Sequence, residues 1–185
     1  GFKDFKSEAQ KRAVKCIVEG DDKNIIISMA TQSGKSLCYQ IASSFQRDGI
    51  VLVVSPNLSL ITNQVAYLTE LRIPATSITS IQPLSNREET IDALYDYENV
   101  AYRLLYITPE MLIHGSYIVR ELISHLMEEE QISHVAVDEA HLIIDDGNTF
   151  RTAFAELKQV RLKFPDIPWI ALTTASKNDI ESIAK

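Results

Sequence analysis

The chain has 185 residues, 45% hydrophobic and 23% charged, which suits one domain with a sizeable core. A net charge of −7 excludes a general electrostatic grip on nucleic acid, so any DNA contact has to be local. No apolar run approaches the roughly 18 residues of a membrane span and no signal-peptide pattern opens the chain, so the expectation is a soluble intracellular protein with no membrane partner. Ser7-Glu8-Ala9-Gln10 reads as a capping box, with Gln10 reaching back, and Ala9, Ala13, Cys16 and Ile17 give the helix that follows an apolar face through Glu19. Gly20-Asp21-Asp22 ends it. A strand over 24–29, a small-residue loop and a helix across about 35–47 come next. Ile50–Val54 is a continuous apolar run with β-branched residues, the mark of a central strand. Ser55-Pro56-Asn57 turns into a helix with Leu58, Ile61, Val65 and Leu68 on one side. A strand at 75–78, a helix capped by Ser85 with Glu88, and a strand at 103–107 follow. The remaining elements are a helix at 116–128, a strand at 132–137, a helix near 152–163, a strand at 169–173 and a helix starting at Lys177. Cys16 and Cys38 lack metal-ligand spacing and read as reduced core residues. The chain begins at Gly1 without Met and stops inside an apparent helix, so it reads as an excised segment of something longer.

Strands and helices alternate with short connections, which predicts an α/β fold: a mostly parallel sheet with helices on both faces. Ligands of such sheets bind beyond the carboxyl ends of the strands. The loops to watch therefore follow Met29, Val54, Ile107, Val137 and Thr173.

Two of those loops carry phosphate chemistry. Thr31-Gln32-Ser33-Gly34-Lys35-Ser36 lies between a strand and a helix, the context of a phosphate-binding loop. A helix N-terminus offers free N–H groups and partial positive charge to an anion. Lys35 adds a point charge for the outer phosphates, and Ser36 a hydroxyl ligand for Mg²⁺. The strict pattern asks for Gly where this chain has Met29, and a plain strand-to-helix turn is the competing reading. The second loop is Asp138-Glu139-Ala140-His141, directly after a strand. Asp138 suits Mg²⁺ and Glu139 suits orienting or deprotonating an attacking water. Alone, two acids could simply cap a turn; joined to Gly34-Lys35-Ser36 they describe an ATP site.

With these motifs in place, the chain resembles the first RecA-like motor domain, a P-loop NTPase fold, of a RecQ-family, superfamily-two DNA helicase. The likeness covers nearly all of 1–185. It is carried by Gly34-Lys35-Ser36-Leu37-Cys38-Tyr39-Gln40, by Val53-Val54-Ser55-Pro56 with Ser59-Leu60 and Gln64-Val65, and by Leu105-Tyr106-Ile107-Thr108-Pro109-Glu110. The opening Gly1-Phe2, Phe5-Lys6 and Gln10 are similar to the animal RecQ-five type. The resemblance implies an ATP-dependent 3′-to-5′ helicase in the nucleus, acting on single-stranded or partly duplex DNA with ATP and Mg²⁺. It also implies a second RecA-like domain, outside these residues, that supplies an arginine to the transition state. Lys6 and Gln10 match the adenine-recognition motif. Ser55, Pro56 and Asn57, and Thr108 and Pro109, match segments that hold the single-stranded backbone. His141, Phe150, Arg151 and Thr173 match positions that couple the nucleotide site to DNA.

The chain departs from the family at functional loops. Ala30 stands where Pro is usual and Gln32 where Gly is usual; a Gln at positive φ costs on the order of 1 kcal/mol. After His141 the family's aromatic-rich loop becomes Leu142-Ile143-Ile144-Asp145-Asp146-Gly147-Asn148-Thr149-Phe150-Arg151, with Asp146 in place of Trp. Leu172-Thr173-Thr174-Ala175-Ser176 replaces the usual third motif. Two readings follow: a helicase motor domain, or a RecA-like module that has lost part of its site and serves as a scaffold or regulator.

Overall fold

The computed structural model describes residues 4–20, 24–45, 49–96, 102–143, 150–174 and 180. Six strands, β1 (Asn24–Ser28), β2 (Ile50–Val54), β3 (Ala75–Ile78), β4 (Leu104–Ile107), β5 (Ile132–Val137) and β6 (Trp169–Thr173), form one sheet in the order β1-β6-β5-β2-β4-β3. Every pairing is parallel. The described α-helices, α1 before the first strand and the others between strands, are α1 (Glu8–Glu19), α2 (Lys35–Phe45), α3 (Leu58–Glu70), α4 (Leu84–Tyr95), α5 (Pro109–His114), α6 (Tyr117–Glu128) and α7 (Phe150–Lys163).

The continuous apolar run of β2 follows from its place in the middle of the sheet. Successive side chains of a strand point to opposite faces, so a strand covered on both sides needs apolar residues at every position. Val51 and Val53 join Leu104, Tyr106, Ala136, Ile170 and Leu172 on one face, under Ile17 of α1, Cys38 and Ala42 of α2, and Ile61 and Leu68 of α3. Leu52 and Val54 join Leu105, Ile107, Val135 and Val137 on the other, under Leu94, Leu112, Leu122, Leu126 and Leu157 from α4 to α7. Helices thus sit on both faces, split by chain order.

Local chemistry sets the helix ends. The Ser7 side chain accepts from the Gln10 N–H and caps α1, and Gly20, at φ +67, closes it in the left-handed conformation. Asn57 caps α3 through the Leu60 N–H at 3.0 Å. Thr108 caps α5 through the Met111 N–H at 3.2 Å, with Pro109 at the first helical position.

Three sequence readings need correction, and one helix was not foreseen. The capping box is only half formed, because the Gln10 side chain reaches the Lys6 N–H at 2.8 Å and not the N–H of Ser7. Helix α4 begins at Leu84 behind Pro83 with no side-chain cap; the Ser85 hydroxyl bonds the Asn86 side chain. Residues 109–114 form a helix of their own, split from α6 at Gly115-Ser116. Cys16 lies on the exposed side of α1, while Cys38 is buried as expected. The helix expected from Lys177 falls mostly outside the described residues.

Candidate nucleotide site and its links to neighbouring turns

Strand order positions the site. Parallel strands lie about 4.8 Å apart, so the ends of β1 and β5, separated by β6, are about 10 Å apart. That gap accommodates a phosphate chain with its cation. A cleft of about 510 Å³ opens there, walled by Thr31, Gln32, Lys35 and Ser36 from the loop after β1 and by Asp138 and Glu139 after β5. Thr173, fully buried at the end of β6, accepts the Met29 N–H at 3.1 Å and so fixes the start of the phosphate loop.

The loop is folded on its own chain. Ser33 donates its hydroxyl to the Ala30 carbonyl at 2.6 Å, so this side chain holds the loop. Gln32 sits at φ +58 and Gly34 at φ +89. The left-handed backbone expected at Gln32 is therefore present, and with it the strain of a side chain where glycine is at ease. Lys35 is mostly buried, and its ammonium donates to the Met29 carbonyl at 3.2 Å. The Leu37 N–H turns back to the Gly34 carbonyl at 3.1 Å, which leaves the first N–H groups of α2, at Lys35 and Ser36, without a partner within the helix.

Asp138 is 3% exposed, and its carboxylate accepts the Glu139 N–H at 3.0 Å. Burial, and then the charge of Glu139, push its pKa up to about 6, against the pull of Lys35. Glu139 takes a left-handed backbone at φ +52, and its carboxylate lies 3.3 Å from Nδ1 of His141. Among the described residues no group of three metal-ligating side chains gathers. Ser36 with one buried carboxylate suits Mg²⁺ carried by phosphates and water rather than a protein cage. The hard oxygen donors of Ser36 and Asp138, on one cleft, fit the ion.

Gln10 is 1% exposed. Its carbonyl accepts from the Lys6 N–H, and its amide donates to the Gly34 carbonyl at 3.0 Å. One amide hydrogen and one lone pair remain for a base edge. Lys6 lines both the cleft and an adjoining groove of about 390 Å³ with Phe5, Leu37, Ile41 and Phe45. The adenine-motif residues and the phosphate loop are thus joined by a direct bond.

The other candidates divide. Asn57 is exposed at the start of α3, but Ser55 is 1% exposed and Thr108 and Pro109 are buried. The Thr108 side chain caps α5, and the Ser55 hydroxyl is buried without a hydrogen-bond partner among the described residues. Residues 144–149 lie outside the described residues. Phe150 and Arg151 begin α7. Sequence reasoning missed the α3 wall of the cleft, Leu60, Gln64 and Tyr67. Gln64 stood within a quoted motif, yet a polar residue on a surface helix gives no sign of facing a cleft.

The DEAD/DEAH box helicase family matches residues 7–183. The chain belongs to that family. Its RecQ-type relatives include the rat ATP-dependent DNA helicase Q5, 34% identical over 181 residues, covering 98% of this chain and 18% of the relative. The fission yeast (Schizosaccharomyces pombe) ATP-dependent DNA helicase hus2/rqh1 is 38% identical over 161 residues, 85% of this chain and 12% of its own. The Haemophilus influenzae ATP-dependent DNA helicase RecQ is 34% identical over 177 residues, 95% and 26%. The chain therefore spans a small part of each. Among solved structures, the DUF1998 helicase MrfA superposes with a TM-score of 0.71 at 17% identity, over 100% of this chain and 29% of that one. The Hef helicase domain of Pyrococcus furiosus gives 0.59 at 15%, over 95% and 35%. The helicase RecA-like fold is thereby established. No helix among the described residues is long and apolar enough to cross a membrane.

Proposed function

We propose that residues 1–185 are the first RecA-like domain of a RecQ-type, ATP-dependent 3′-to-5′ DNA helicase, working in the nucleus on single-stranded or partly duplex DNA. The observation that carries this reading is the meeting of Lys35, Ser36, Asp138 and Glu139 around one cleft. The α2 N-terminus and Lys35 would hold the outer phosphates, which compete with the Met29 carbonyl for the ammonium. Ser36 and Asp138 would hold Mg²⁺, which supplies charge neutralisation on the phosphates. Glu139, less buried than Asp138, would orient the attacking water. Lys6 and Gln10 would receive the adenine. A second RecA-like domain would add the arginine that full hydrolysis needs.

The strained Gln32 favours the second reading, a RecA-like module that binds nucleotide weakly or not at all and serves as a scaffold or regulator. Titration with a fluorescent ADP analogue and Mg²⁺ separates the two. Saturable binding that Lys35→Ala abolishes is the expected result. Absence of binding into the millimolar range, in parent and variant alike, would hand the case to the scaffold.

A further inference from the structure

A set of polar side chains crosses the apolar layer between the sheet and α2–α3. Gln40 is 4% exposed and lies just over one turn beyond Ser36. Both hydrogens of its amide are used: Nε2 donates to Oε1 of Gln64 on α3 at 2.6 Å and to the Tyr106 hydroxyl on β4 at 3.0 Å. Tyr106 and its neighbour Tyr39 are each 1% exposed. Burial holds both phenols far above their ordinary range, Tyr106 at about 12, so they stay neutral donors and acceptors at working pH.

Packing does not explain this chain of bonds. The surrounding layer is apolar, and Phe and Leu at 106 and 40 would fill it without polar groups that need partners. What the bonds join is informative. Gln40 itself lines the nucleotide cleft, Tyr106 stands two residues before the Thr108 turn, and Gln64 lies two turns along the helix that Asn57 caps. Gln64 is also a wall of the cleft. A ligand group that donates to Oε1 of Gln64 competes with the Gln40 amide for it, so the joint has two arrangements, as a coupling element requires.

We propose that Gln40, Tyr106 and Gln64 are positioning residues that couple occupancy of the nucleotide cleft to the turns at Asn57 and Thr108, where single-stranded DNA would lie. This rests on the function proposed above. The affinity of the chain for a fluorescent ADP analogue with Mg²⁺ is measured with and without oligo-dT, and that for oligo-dT with and without nucleotide. Linkage requires one shared factor in both directions, expected at about fivefold or more. Tyr106→Phe and Gln64→Leu should each bring it below about twofold, and the double variant should go no further, because both act through the Gln40 amide. Gln64→Glu keeps the acceptor and should keep the coupling. Melting curves identify any variant that fails to fold; Gln64, partly exposed on α3, then decides alone. Coupling that survives both single variants, or is absent in a parent that binds both ligands, overturns this inference and leaves the function standing. Failure to bind either ligand removes the function and the inference together.

Discussion

Asp138 and Gln32 show how single residues bear the strain of the site. The Asp138 carboxyl rises from its ordinary 3.8 to about 6. Below both values it is protonated, folded or unfolded, and adds nothing. As pH climbs between them the unfolded chain releases its proton first, so stability falls, and above about 6 the loss is constant. A displacement of that size is worth on the order of 3 kcal/mol. Asp138→Asn should therefore be about 1–3 kcal/mol more stable than the parent in urea unfolding at pH 7, with the advantage shrinking toward pH 4. An advantage that did not change with pH would refute the buried charge as its source. At Gln32, glycine relieves roughly 1 kcal/mol of left-handed strain but adds comparable freedom to the unfolded chain, so Gln32→Gly should melt near the parent. Gln32→Val, β-branched at φ +58, should lose more than about 1 kcal/mol. The nucleotide titration should show the Gly variant binding more tightly. Equal melting of the Gly and Val variants would mean that the backbone relaxes at this position.

At the scale of the elements, boundaries depend on caps, and the caps were only partly legible. Continuous apolar runs located the central strands within a residue, since a strand buried on both faces leaves no other pattern. The Ser85 cap failed because Pro83 already fixes the entry to α4, leaving the hydroxyl free to bond its neighbour. The Gly34-Lys35-Ser36 and Asp138-Glu139 pair was readable because each follows a strand. The Gln40, Gln64 and Tyr106 joint was not, because it is made of long-range contacts that no local spacing encodes. Asn57 tests cap against ligand role. Asn57→Ala should cost about 1 kcal/mol of stability. Asn57→Asp keeps the cap and should keep the stability, while its charge weakens oligo-dT binding. An Asp variant that binds oligo-dT like the parent would remove this turn from the DNA path.

Over the whole molecule, stability resides in the two layers on either side of the sheet. Leu105, fully buried in β4 between β2 and β3, belongs to the layer beneath α4–α7. Leu105→Ala should cost about 2–5 kcal/mol in urea unfolding, whereas Leu84→Ala, at a 64% exposed position, should stay within about 0.5 kcal/mol. Similar losses at both would mean that the exposed leucine is held by a contact of its own. The strand order has one more consequence, for how copies of the chain behave toward each other. The two strands that end the sheet, β1 and β3, are five and four residues long, and β1 carries Asn24 and Ser28 at its ends. An unpaired rim is a template for further strands in proportion to its length and apolarity. With the longest strand, β5, and the fully buried β2 at the centre and short strands at both ends, little rim is left on which a neighbouring chain could nucleate a shared sheet.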